Sequence, residues 1–65
     1  MKPGDLLSVN NSMDSYYLYS KNNVYKDDIG IIIEVIMPLV LCLIRGDMIL
    51  LYPDEFTIIE NELWN

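Results

Sequence analysis

Between Ile29 and Ile44 the sequence is almost wholly apolar, and only Gly30, Glu34 and Pro38 interrupt it. Such a run has to be buried, as a core helix, a membrane span or a set of strands. Periodicity does not separate these, because a continuous apolar run carries none; composition and punctuation decide. Isoleucine and valine are frequent, and both lose rotamer freedom in a helix while fitting a pleated surface. Pro38 would cost a helix interior about 3 kcal/mol, whereas a connection between strands accommodates it. A membrane helix needs roughly 20 apolar residues. This run is shorter, carries a carboxylate in its interior, and follows Asp27-Asp28 in place of a basic flank. Two strands are therefore expected, Ile29–Ile36 and Leu39–Arg45, joined tightly at Met37-Pro38.

The rest of the chain is punctuated in the same way. Pro3-Gly4 marks a turn in a lead-in over residues 1–4, and Asp5 to Val9 reads as a first strand. Gly46-Asp47 makes a hairpin turn in which glycine supplies the positive φ, so Arg45-Gly46-Asp47 is read as a turn and not as an integrin ligand. Met48 to Tyr52 is a further strand. Pro53-Asp54-Glu55 suits one turn of 3-10 helix with proline pre-set at its start. Thr57 to Glu60 is the last strand, and residues 61–65 are a tail with Leu63 or Trp64 as its anchor. Asn10 to Asp28 reads as a long loop or an irregular hairpin, and a loop that long in a small domain is usually functional. The expected fold is all-β. It is a single domain over residues 1–65, a small five-stranded SH3-like barrel with a long first loop and a 3-10 turn before the last strand. Closing the sheet would also hide strand edges that invite aggregation.

A chain of 65 residues buries only about 60% of its unfolded surface, so its core is thin. Small scaffolds are usually stapled by disulfides, metals or association. Here there is one cysteine, Cys42, and no histidine, so no disulfide within the chain, metal or cofactor is expected and association remains. A hydrophobic fraction of 52% excludes intrinsic disorder. Ten acidic against four basic residues give a net charge of −6, which repels phosphate backbones and argues against a nucleic-acid partner. The opening Lys2-Pro3-Gly4-Asp5 lacks the apolar segment of an export signal, and a lone thiol suits a reducing compartment. The expectation is an intracellular protein, neither secreted nor membrane-spanning.

Three blocks carry a family resemblance: Lys2-Pro3-Gly4-Asp5-Leu6-Leu7, Ile29-Gly30-Ile31-Ile32-Ile33-Glu34-Val35, and Leu51-Tyr52-Pro53-Asp54-Glu55-Phe56-Thr57-Ile58-Ile59. In order and spacing they resemble the small SH3-like proteins of tailed bacteriophages, cyanophages especially. Those proteins open with a "kPGDLV" strand, continue with "GIVLEV" and a "VLW.DG" hairpin, and close with "yP.dELEVI". The resemblance spans most of the chain. It departs in the Tyr- and Asn-rich first loop and at Leu43-Ile44, where an aromatic is frequent. It implies the barrel fold and a viral protein in the host cytoplasm or the virion. The family has no established catalytic residues, so none is carried over.

If Glu34 and Arg45 face water, alternation turns Ile31, Ile33 and Val35 inward with Val40, Cys42 and Ile44. Ile32, Ile36, Leu41 and Leu43 then face outward. A barrel this small cannot bury both faces of its sheet, so these four are expected to meet a second copy or another protein, unless the first loop and the Trp64 tail cover them. On this reading Leu41→Glu should block association and leave the fold intact. Tyr16, Tyr17 and Tyr19 are the other candidate contacts, tyrosine being a common interface anchor; the competing role for them and Tyr25 is to cap one end of the barrel. A polyproline groove relies on a tryptophan that Leu39-Val40 does not supply. Cys42, in an apolar strand without basic neighbours, reads as inert. Without histidine, a phosphate loop or a metal cluster, catalysis is not expected. Asp27-Asp28, Asp54-Glu55, Glu60 and Glu62 admit imitation of a phosphate backbone, against the simpler reading of a solvated surface. The expected function is a non-enzymatic protein-interaction module, a small phage protein that self-associates or binds virion proteins. The alternative is an early protein that binds and modulates a host protein.

Overall fold

The computed structural model describes residues 1–59; Glu60, Glu62, Leu63 and Trp64, to which the sequence assigned roles, lie outside the described residues. The chain is all-β. Among the described residues seven strands run in order: β1 Leu6–Val9, β2 Met13–Tyr17, β3 Ser20–Val24, β4 Ile29–Ile36, β5 Leu39–Ile44, β6 Asp47–Leu51 and β7 Phe56–Ile59, with a 3-10 turn at Pro53–Glu55 before β7. Among the described residues no helix is long and apolar enough to cross a membrane.

Strands β1, β4, β5, β6 and β7 form one antiparallel sheet in the order β6-β5-β4-β1-β7. Its edge strands β6 and β7 do not pair with each other, so the sheet is open in its backbone hydrogen bonding. The stretch Asn10–Asp28 is more regular than its composition implied. Strands β2 and β3 form a separate hairpin, in register from Met13↔Val24 to Tyr17↔Ser20. This hairpin lies against the β6 edge, where Ser15 is buried and its hydroxyl donates to the Leu50 carbonyl. On its inner side Val24 enters the core and Met13 packs against it.

The central strand β4 carries the feature that alternation missed. Ile32 faces Cys42, but the next pair is Glu34↔Leu41, so Ile33 is an extra residue in a β-bulge. Inward-facing positions are even before the bulge and odd after it. Gly30 and Ile32 lie opposite Ile44 and Cys42, and Val35 lies opposite Val40. The expected inward placement of Ile31 and Ile33 is therefore corrected. Ile31 is half-buried on the outer face, and Ile33 is 39% exposed. Ile32, expected outward, is 1% exposed and belongs to the core with Leu7, Val40, Ile44, Ile49 and Leu51. Val35, Val40, Cys42 and Ile44 face inward as expected.

The turns follow from sequence with one adjustment. Arg45 was expected to end β5, but it lies in the turn: Ile44 pairs with Asp47, and Arg45 and Gly46 have φ of 52° and 81°. Two left-handed residues are what a two-residue hairpin turn requires, and the strain falls on arginine. Three contacts hold it there. Its guanidinium donates to the Asn23 carbonyl at 2.7 Å, lies 3.5 Å from the Asp28 carboxylate, and sits 4.9 Å from the centre of the Tyr25 ring. Asn10, whose neighbour Val9 bonds the backbone of Asp27 and Asp28, performs a similar task. It donates through its backbone to the Glu55 carbonyl at 3.0 Å and through its side chain to the Asp54 carbonyl at 3.3 Å, and it accepts from the Thr57 hydroxyl at 2.8 Å. The 3-10 turn is thereby fastened to the end of β1.

Two stability measurements check this layout. Ile32→Ala should cost roughly 2–5 kcal/mol in urea unfolding, as buried Ile→Ala changes do, while Ile33→Ala should cost less than about 1 kcal/mol. Equal costs would mean that the bulge is misplaced. Gly30→Ala should also destabilise, by roughly 1–3 kcal/mol. A Cβ there would sit 2.5 Å from Ile44 Cγ1 and 2.9 Å from the Leu43 carbonyl oxygen, and a backbone atom gives way poorly.

Candidate functional site

The core takes one face of the large sheet, and what remains on the other face decides what the molecule can touch. Cross-strand pairs place side chains on a common face. Ile59 pairs with Leu6, Leu6 with Ile31, Ile31 with Leu43, and Leu43 with Met48. One apolar residue from each of β7, β1, β4, β5 and β6 thus forms a single outer row, roughly 19 Å long at about 4.8 Å per strand. Leu6 and Ile59 are exposed, and Ile31, Leu43 and Met48 are half-buried. Ile29 and the bulged Ile33 add exposed apolar surface from β4. The adjacent row, Glu34–Leu41–Leu50, contributes the one carboxylate paired into this part of the face.

The four outer-strand candidates read from sequence separate on this geometry. Leu43 lies in the middle of the apolar row. Ile36 is exposed near the β4–β5 turn, where it pairs with Leu39. Ile32 is in the core and has no surface to offer. Leu41 is on the outer face but only 6% exposed, between its neighbours Glu34 and Leu50. A glutamate at Leu41 would therefore be buried beside another carboxylate, and the expected harmless Leu41→Glu becomes a folding defect. Leu6, Ile59 and Met48 were not singled out from the sequence. Their signal was the alternation within β1, β6 and β7, and Leu6-Leu7 and Ile58-Ile59 mask it by being apolar on both faces.

The tyrosines also separate. Tyr16 points outward from the β2–β3 hairpin beside Lys21, whose ammonium is 3.1 Å from Asp14 and is held protonated more firmly by that carboxylate. Tyr17 is half-buried on the inner side. Tyr19 sits at the tip, fully exposed, next to a largely exposed Leu18 with φ of 58°. Leucine carries a steric penalty in that region and has no polar group to offset it. Tyr25 is engaged by Arg45, so it belongs to the structural clamp described above.

Cys42 is fully buried and its thiol donates to the Ile49 carbonyl at 3.2 Å. Loss of solvent pushes its pKa up to about 11 from the ordinary 9.0, so the thiolate does not form near neutrality. Asp5 is lowered, chiefly by the hydrogen bond from the Lys2 ammonium at 2.9 Å. Both ends of that pair are surface groups that order the lead-in, and neither faces the apolar row.

No family model matches the chain, and no characterised protein or solved structure matches it either.

The buried thiol gives a pH signature. The unfolded chain releases the Cys42 proton near pH 9 and the folded chain only near pH 11. The stability contributed by the protonated thiol is therefore complete below pH 9 and is lost as pH rises towards 11. The stability difference between the wild type and Cys42→Ala should shrink over that interval by on the order of 1–3 kcal/mol. A pH-independent difference in parallel urea titrations would place the thiol in contact with water.

Proposed function

We propose that this chain is a non-enzymatic protein-interaction module of the SH3-like barrel class, and that it associates with a second copy of itself through the outer apolar row. The observation that carries the reading is the unbroken row Ile59–Leu6–Ile31–Leu43–Met48, which spans all five strands of the sheet without a charge. The barrel assignment is supported by the strand order β6-β5-β4-β1-β7, by a hairpin between β1 and β4 that leans on the β6 edge, and by the 3-10 turn before β7. The order of the sequence blocks supports a bacteriophage protein, with self-assembly or docking on virion proteins as its setting.

A second copy suits this surface better than a charged partner does. Most described carboxylates lie on turns or at strand ends, at Asp5, Asp27, Asp28, Asp47, Asp54 and Glu55, with Asp14 on β2 and Glu34 on β4 as the exceptions, and the row itself carries none. Two-fold association would bring identical patches together and remove them from water. A standard interface takes about 800 Å2 from each partner. That is under a fifth of the 4559 Å2 the protein exposes. The hairpin tip, with Leu18 and Tyr19 in full solvent, supports a second reading in which the same module also holds a different protein, of the virion or the host.

Size exclusion with light scattering, at two micromolar concentrations tenfold apart, tests the proposal. The wild type should run as a dimer whose unfolding midpoint rises with concentration, and Leu6→Lys should run as a folded monomer whose midpoint does not, because Leu6 is already partly exposed. Added salt should favour the dimer by screening its acidic surround. A wild-type monomer at both concentrations, or a dimer untouched by Leu6→Lys, removes self-association through this face.

A further inference from the structure

The hairpin β2–β3 does not lie flush on the sheet. Between it, the β6 edge and the 3-10 turn is a groove of about 270 Å3 lined by Asp14, Ser15, Tyr16, Leu39, Leu50, Tyr52 and Glu55. We infer that this groove is a binding site for an extended peptide segment carrying an arginine next to an apolar side chain. The inference goes beyond the self-association reading and uses other residues.

The composition of the groove selects that occupant. Leu39 and Leu50 are half-buried and offer an apolar seat. Tyr16 and Tyr52 keep more than half of their surface in solvent, and their faces are suited to a guanidinium. Asp14 and Glu55 bring carboxylates to the same groove, one from the hairpin and one from the 3-10 turn. Glu55 is held in place, since its Oε1 accepts the Tyr52 N–H at 2.7 Å. That contact occupies one carboxylate oxygen and leaves the other for a ligand. Only Lys21, paired with Asp14, brings positive charge nearby. The molecule already uses the same chemistry once: Arg45 lies over the Tyr25 ring and against the Asp28 carboxylate. In the groove tyrosines and carboxylates again come together, and Glu55 is the carboxylate with no ion pair among the described residues. The chain's net charge of −6 would draw a basic segment towards it.

An NMR titration reads this directly. The probe is a capped Leu-Arg-Leu peptide, with Leu-citrulline-Leu as its neutral isostere, added to the wild type and, separately, to Leu6→Lys so that the oligomeric state is not a variable. The arginine peptide should shift amide resonances of Asp14, Ser15, Tyr16, Leu50, Tyr52 and Glu55 in both proteins. The citrulline peptide should bind at least about threefold more weakly, and so should the arginine peptide to Glu55→Gln, which keeps the acceptor for Tyr52 N–H but removes the charge. Equal affinity for the two peptides, shifts centred elsewhere, or no shifts at millimolar peptide would each overturn the inference. A monomeric wild type that still binds the arginine peptide here would refute self-association and leave this site standing.

Discussion

The extra residue in β4 is the constraint on which the rest of the structure depends. This strand pairs with β1 over Ile29–Ile31 and with β5 as far as Ile36, so one backbone must serve both halves of the sheet. A strand with that task has to bend, and a bulge bends it while increasing its twist. The consequence is chemical as well as geometric. By exchanging the inward parity at Ile33, the bulge lets Ile32 meet Cys42 and Val35 meet Val40, and it releases Ile33 and Glu34 together to the outside. Without the shift, Glu34 would face the core and its desolvation would oppose folding. Gly30 belongs to the same device. It pairs with Ile44 where the backbones come too close for any Cβ, so the curvature at the start of β4 depends on its having none.

A core this thin does not hold the chain ends and loops by burial alone, and polar side chains supply the remaining ties. Asn10, Ser15 and Arg45 each donate from a side chain to a backbone carbonyl far away in sequence: Asp54, Leu50 and Asn23 respectively. Ser15 acts at the most exposed point, because β6 is an edge strand and its unpaired carbonyls would otherwise invite another chain. Covering that edge with a hairpin achieves protection without strand-to-strand closure. The same attachment sets Asp14, Ser15 and Tyr16 of the hairpin beside Leu50 of β6, and these residues line the groove.

The strand order from β4 onward was legible in the sequence because glycine or proline marks each of those turns. Pro3-Gly4, Pro38, Gly46 and Pro53 stand where connections fall. The β2–β3 hairpin was not legible as a regular element, for two physical reasons. Its inner positions include Ser15, Ser20 and Asn22, so the alternation that would reveal a half-buried hairpin is not hydrophobic. Its tip is Leu18-Tyr19, where a hairpin turn normally advertises itself with asparagine or glycine. The bulge was hidden for the opposite reason. Ile31, Ile32 and Ile33 are identical, and a parity change within identical residues leaves no trace in the sequence. Of the candidate contacts, Tyr16, Tyr19, Ile36 and Leu43 retained surface because their neighbours fixed their direction independently of β4's first half, whereas Ile32 depended on it wholly.

The two surfaces differ most in how charge is arranged around them, and salt separates them. On the outer row the acids are peripheral, so in the proposed dimer electrostatics would oppose the meeting of two copies while apolar burial would drive it. In the groove, Asp14 and Glu55 are part of the lining, so electrostatics is the attraction itself. Screening therefore acts with opposite sign on the two, strengthening the first and weakening the second. A protein with a net charge of −6 gains from that division. If both proposals hold, the charge that opposes contact between apolar sheet faces at low concentration would also bias the groove towards basic partners, with one groove carboxylate on a strand, Asp14, and one on the 3-10 turn, Glu55.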